Sequence, residues 1–217
     1  MLILGLDTAT PAVTVALHDG GHPLAQLVTV DAHRHAELLA PAVSKVIADA
    51  GVARTDLTGI AVGVGPGPYT GLRVGLVTAR VLGDALGIPV YGVCSLDVIA
   101  ADVAAGIGFL VATDARRREV YWAEYDERGD RIAGPAVNAP ASLPSRGLPV
   151  AGEGALLYAA HLPNGTGPTY PAAASLCRIV TATLAAGDDS RLLPPEPLYL
   201  RRPDAREPGV PKRVSQS

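Results

Sequence analysis

The sequence predicts an α/β protein built as two lobes, the second a shortened copy of the first. Three observations carry this. Apolar runs of strand length alternate with amphipathic stretches of helix length over the first hundred residues, in the order βββ-α-β-α-β-α. An apolar run ending in aspartate opens the chain at residues 2–7 and recurs at Phe109–Asp114, a repeat of pattern rather than identity. Thirteen of the 19 prolines fall after Gly134, so dense regular structure gives way to a looser last third.

Each element has its own signal. Residues 2–7 form a buried strand. Val13, Val15 and Leu17 alternate with Thr14 and Ala16 in a second strand, Asp19-Gly20-Gly21 is a turn, and residues 24–30 return as a third. Leu38, Leu39, Ala42, Val43, Val46, Ile47 and Ala50 make one wide apolar stripe, a helix that Gly51 ends. Residues 60–64 read as a buried strand, 71–86 as a helix and 89–93 as another strand. Ser95 is placed to cap a helix reaching about residue 105. The second half continues with a strand at 119–125, a turn at Glu127-Arg128-Gly129-Asp130, a third strand beginning at Arg131, and one clear helix, Ala173–Ala186. The division expected is a first lobe at 1–106, a shortened second lobe at 107–201 and a flexible tail at 202–217.

Composition narrows the function classes. The 217 residues carry a net charge of −3, which argues against an autonomous grip on nucleic acid. Cys94 and Cys177 are too few for a disulfide scaffold or a four-cysteine zinc site, and Cys94 reads as a small core residue. The first residues lack the basic region of a secretory signal, and no apolar run reaches eighteen residues. A cytoplasmic protein without a membrane span is expected.

The richest local signal is Gly65-Pro66-Gly67-Pro68-Tyr69-Thr70-Gly71, between a strand and a helix. Such a loop serves either as a turn or as a phosphate contact at a helix N-terminus, with Thr70 as the N-cap. It fits neither the P-loop spacing nor GxGxxG. Asp7 and Thr8 close the first strand. They could serve phosphotransfer, Asp7 orienting a metal-bound water and Thr8 meeting a phosphate, or they could form an Asx turn; Asp114 has the same two readings. Arg116-Arg117-Arg118 is a solvated loop or an anion contact. His35 is expected as a polar group near a helix start rather than a metal ligand.

The helix at 71–86 is apolar almost all round. Leu72, Gly75, Leu76, Ala79 and Gly83 lie on one face and Val74, Val77, Val81 and Ala85 nearly opposite. One side can pack on the sheet, and the other needs cover, for which a second protein is favoured. Gly75, Ala79 and Gly83 would permit close helix approach.

Leu4-Gly5-Leu6-Asp7-Thr8-Ala9, His35 with Leu38-Leu39, the Gly65 to Gly75 segment, Asp114-Ala115-Arg116 with Glu119-Val120-Tyr121, and Pro197-Leu198-Tyr199-Leu200-Arg201 together resemble the TsaB (YeaZ) family of bacterial tRNA threonylcarbamoyladenosine biosynthesis proteins. The family usually has Ser-Phe where this chain has Pro68-Tyr69, and Pro68 lacks a backbone N–H. The resemblance implies two ribonuclease-H-like lobes of the actin-like, sugar-kinase-like ATPase superfamily. It implies a non-catalytic scaffold that pairs with the catalytic sibling TsaD through its first two helices, is joined by the ATPase TsaE, and meets tRNA indirectly through the complex. A homodimer is implied when the chain is alone.

TsaD holds a metal with two histidines four residues apart after a buried strand. Ser95 and Ile99 stand there in this chain, so no metal and no catalytic residue are expected. His35, Leu39, Leu72, Gly75, Leu76, Ala79, Arg80 and Gly83 are the expected partner interface. Asp7, Thr8, Gly65, Gly67, Thr70, Asp114 and Arg116 are the candidate nucleotide contacts, for ATP or ADP held within the complex. The competing reading is an ATP-dependent phosphotransferase of the same superfamily. A peptidase is disfavoured, because no Ser–His–Asp order, HExxH motif or Cys–His pair is evident.

Overall fold

The computed structural model describes residues 1–104, 106–145, 147–187 and 191–200. The expected tail at 202–217 lies outside them.

Among the described residues the strands form two five-stranded sheets. The first contains β1 (Ile3–Asp7), β2 (Ala12–His18), β3 (Pro23–Val30), β4 (Gly59–Gly63) and β5 (Val90–Val93), in the order β3-β2-β1-β4-β5. β1 pairs antiparallel with β2 and parallel with β4. Two helices cover one face of this sheet, α1 (His35–Asp49) and α2 (Tyr69–Leu86). β1, β2 and β4 are buried throughout, as strands covered on both faces must be.

The second sheet contains β6 (Phe109–Asp114), β7 (Val120–Tyr125), β8 (Arg131–Asn138), β9 (Val150–Ala151) and β10 (Gly165–Thr166). Its order, β8-β7-β6-β9-β10, matches the first sheet strand for strand, with β6 in the place of β1. The pattern echo between residues 2–7 and Phe109–Asp114 is therefore a structural repeat. The shortening falls where α1 and α2 would stand: between β8 and β9 only a three-residue turn of 3-10 helix, Pro140–Ser142, takes the place of α1. Between β9 and β10 the second lobe has only the five-residue α4 (Glu153–Leu157).

Two helices lie between the lobes. α3 (Ser95–Ala100) follows β5 but packs on β6 and β7 of the second sheet. α5 (Ala173–Ala186) follows β10 but packs across β1, β2 and β4 of the first. The division at 107–201 assigned α5 to the second lobe by chain order. Its apolar stripe of Leu176, Cys177 and Val180 is instead buried against Ile3, Ala61 and Val93. α3 in turn gives Leu96, Ile99 and Ala100 to a cluster with Phe109, Val111 and Tyr125. Tyr125 donates to Asp97 at 2.7 Å and Arg131 pairs with the same carboxylate at 3.2 Å, so α3 is bonded as well as packed to the second sheet.

α3 stops at Ala100, short of the expected length, and Ser95 is its first residue rather than its cap. Thr70 likewise does not cap α2; Pro68 holds that place, with no side-chain cap.

The sheet edges differ. At β5, Leu193 forms a two-way backbone bridge with Gly92. β8 carries Arg131 and an internal Pro135, and its register with β7 is irregular at two points. β10 has two residues. β3 has eight residues, no charged side chain and no proline beyond its first position.

Candidate functional site

The end of β1 is joined to the starts of α2 and α3 by side-chain bonds from the strand-end residues Asp7 and Thr8. Asp7 is fully buried. One carboxylate oxygen accepts the Ala9 N–H at 2.7 Å and the other accepts the Ser95 hydroxyl at 2.6 Å. Ser95 Oγ accepts the Gly65 N–H at 3.1 Å, which ties the glycine loop to α3. A Cβ at Gly63 would lie 1.7 Å from an Asp7 oxygen, so only glycine admits this carboxylate. Burial pushes the Asp7 pKa up to about 6, against the opposing pull of the Ser95 hydroxyl and the Ala9 N–H. Asp7, a candidate nucleotide contact, is therefore sealed inside the first lobe.

Thr8 enters α2 itself. Its hydroxyl donates to the Gly71 carbonyl at 2.8 Å and accepts the Gly75 N–H at 3.0 Å. These are the two groups that an uninterrupted helix would pair with each other. A Cβ at Gly75 would sit 2.4 Å from Thr8 Oγ1. The Gly71 and Gly75 pair is thus a notch for a strand-end threonine.

The same packing corrects the expected interface. Leu72, Gly75, Leu76, Ala79 and Gly83 are buried in the chain's own core, as are His35 and Leu39 of α1. A Cβ at Gly83 would lie 2.4 Å from the Val90 side chain. The small residues let α2 settle onto its own sheet instead of onto another protein. Of the eight expected interface residues only Arg80 is exposed. The outward face carries Val77 and Val81, 54% and 58% exposed, with Arg73, Asp84 and Ala85 around them. His35 begins α1, and its Nε2 lies 2.8 Å from the Thr10 carbonyl.

A cavity of about 340 Å³ opens above these bonds, lined by Thr8, Thr10, His33, Thr70 and Tyr69, with Arg116 reaching in from the second lobe. Of the candidate nucleotide contacts it gathers Thr8, Thr70 and Arg116. Asp7, Gly65 and Gly67 are buried. Asp114 is engaged locally: it pairs with Arg116 at 3.4 Å, accepts the Arg116 N–H at 3.0 Å and accepts the Tyr158 hydroxyl at 3.3 Å. Glu153 Oε1 accepts the Asp114 N–H at 3.3 Å. Burial and the Asp114 carboxylate push the Glu153 pKa up to about 7, the Asp114 N–H opposing.

Arg116, Arg117 and Arg118 all adopt positive φ, at 61°, 55° and 61°. Each such residue costs about 1–2 kcal/mol relative to the right-handed region. The turn is closed by the Glu119 N–H to the Arg116 carbonyl at 3.0 Å and the Ala115 N–H to the Glu119 carbonyl at 2.9 Å.

Sequence reasoning missed the aromatic corner. Tyr69 stacks on Tyr199 with ring centroids 5.3 Å apart, and the Arg73 guanidinium lies 5.0 Å from the Tyr69 centroid and bonds its hydroxyl. Residues 193–200 return along the first lobe to make this contact, held by the Leu198 N–H to the Val64 carbonyl at 2.8 Å. A larger hollow of about 600 Å³ lies by α3, α5 and the turn between β7 and β8, and no candidate residue lines it. Ile99, one of the two positions where TsaD would have a ligand, is fully buried. Among the described residues no three His, Cys, Asp or Glu side chains gather to hold a metal ion, and no helix is long and apolar enough to cross a membrane.

The family model described as TsaD, tRNA N6-adenosine threonylcarbamoyltransferase, matches residues 25–205. A solved Pseudomonas aeruginosa protein, described as similar to the peptidase YeaZ, is 30% identical and superposes with a TM-score of 0.79, covering 92% of this chain and 99% of that one. The tRNA threonylcarbamoyladenosine biosynthesis protein TsaB of Escherichia coli is 39% identical over 140 residues, which are 59% of this chain and 58% of that protein. The chain belongs to the TsaB/YeaZ family. An uncharacterised Mycobacterium tuberculosis protein is 50% identical over 210 residues, covering 94% of this chain and 93% of that protein. The ribonuclease-H-like strand order of both lobes is the fold expected of a TsaB/YeaZ protein.

Proposed function

We propose that this TsaB/YeaZ chain takes part in tRNA threonylcarbamoyladenosine biosynthesis as a non-catalytic, cytoplasmic scaffold and activator. It pairs with a TsaD-type catalytic subunit, a TsaE-type ATPase joins the pair, and tRNA is met through the complex. One observation carries the pairing: Val77 and Val81, about a helical turn apart, face outward from a helix already docked on its own sheet. The non-catalytic role is supported by Asp7, whose oxygens are both engaged and closed off from the cleft, where a phosphotransferase needs an open carboxylate. Thr70 and Arg116, exposed on the cavity wall, are the proposed contacts for an ATP or ADP phosphate held in the assembled complex, whereas the Thr8 hydroxyl is already spent on α2.

The test is reconstitution. Formation of the modified adenosine by the TsaD-type subunit should need this chain. Val77→Arg with Val81→Arg should abolish co-purification of the two while the variant stays folded. An undiminished complex with the double variant would refute this face as the interface, and full modification without the chain would refute the role.

A further inference from the structure

The hollow of about 600 Å³ has the size of a small-molecule site. Both lobes build it. β5 and α5 of the first supply Val93 and Ile179, and β6 of the second supplies Phe109. Ala100 of α3 and Leu193 complete an apolar wall whose members are buried or half-buried. Arg131, Arg178 and Arg191 line the same hollow and are exposed, so its rim is cationic. Each is anchored through one nitrogen to one carboxylate. Arg131 pairs with Asp97 at 3.2 Å, Arg178 with Asp102 at 2.8 Å, and Arg191 with Asp130. A guanidinium carries five N–H donors, so each can take a second anion without giving up the first. Asp97 also accepts the Tyr125 hydroxyl at 2.7 Å, which commits that carboxylate before any ligand arrives. The lining holds four arginines against Asp97, Glu127 and Asp130, a local positive excess in a chain of net charge −3.

The geometry points to a binding site for a small amphipathic anion, an apolar chain or ring bearing a carboxylate or phosphate head. The body lies against Val93, Phe109 and Ile179, where its burial supplies affinity. The head meets the arginine rim, whose planar forks suit either oxyanion. Both parts are needed. A bare anion meets only exposed, solvent-screened charges, and an uncharged chain leaves the arginine donors unused. No lining residue is shared with the cavity of Thr70 and Arg116, so this site stands apart from the proposed nucleotide contacts.

Ligand-observed NMR titration of the full chain tests this. Octanoate and octyl phosphate carry the two head groups on one chain, and the tighter of them names the head. The expected dissociation constant is about 0.1–1 mM for a ligand of about ten non-hydrogen atoms. 1-Octanol and inorganic phosphate should each bind about tenfold more weakly or worse. Ala182→Trp, from an exposed position of α5 that lines the hollow, should fill it and abolish binding. Arg178→Met with Arg191→Met keeps the apolar stems, removes both charges and should weaken binding by about tenfold or more, with the fold checked by circular dichroism. Arg116→Met should leave binding unchanged. Failure of both anions to bind, 1-octanol binding as tightly as they do, undiminished binding in the folded double-methionine variant, or loss of binding in Arg116→Met would each overturn the assignment.

Discussion

Replacing Asp7 with asparagine should change how stability depends on pH more than it changes stability at any one pH. In the folded chain the Asp7 pKa stands at about 6 against an ordinary 3.8, because a fully buried carboxylate is desolvated more than its two hydrogen bonds compensate. The native state therefore holds the proton more tightly than the unfolded chain. Stability from this group is full below about pH 4, falls as pH rises through the window up to about 6, and is flat above it. The shift corresponds to about 3 kcal/mol lost across the window. The asparagine side chain has no proton to lose. Its altered bond to Ser95 adds an offset that is constant with pH and drops out of the comparison. Urea unfolding of both proteins at steps between pH 4 and 7.5 measures this. The unfolding free energy of Asp7→Asn should rise relative to wild type by about 3 kcal/mol over the interval. Parallel curves would refute the sealed, strained carboxylate.

Thr8→Val should cost about 1–3 kcal/mol by chemical denaturation, since it strands the Gly71 carbonyl and the Gly75 N–H, and Thr8→Ser should recover most of the loss. Equal stability of the valine variant would mean that the helix closes its own bond there. Leu76→Ala should lose about 2–5 kcal/mol, whereas Val77→Ala should stay within about 0.5 kcal/mol, because only the first faces the core. The opposite ranking would invert the orientation of α2.

Much of the fold was legible because strand and helix periods are local. Alternation at Val13, Val15 and Leu17 and the stripe from Leu38 to Ala50 placed their elements, and Ala173–Ala186 was bounded correctly. The echo of Asp7 in Asp114 exposed the repeat, since β1 and β6 hold the same place in their sheets. The facing of α2 was not legible. Apolar residues ring that helix, and Gly75, Ala79 and Gly83 suit close contact with a partner as well as with its own sheet. The deciding contact is Thr8, 67 residues from Gly75 in sequence. Tyr199 on Tyr69 and Ser95 on Asp7 are hidden for the same reason, as the pairs are remote in the chain. The exchange of α3 and α5 between sheets leaves no local trace, because each helix has an ordinary amphipathic face that fits either sheet.

That exchange bears on how the chain is made. As synthesis proceeds, the first five strands and both helices on their outer face emerge early, yet the opposite face stays greasy and uncovered until residues 173–186 have left the ribosome. A nascent chain halted at the midpoint would thus present an open hydrophobic sheet, and the early half has no finished state of its own to wait in.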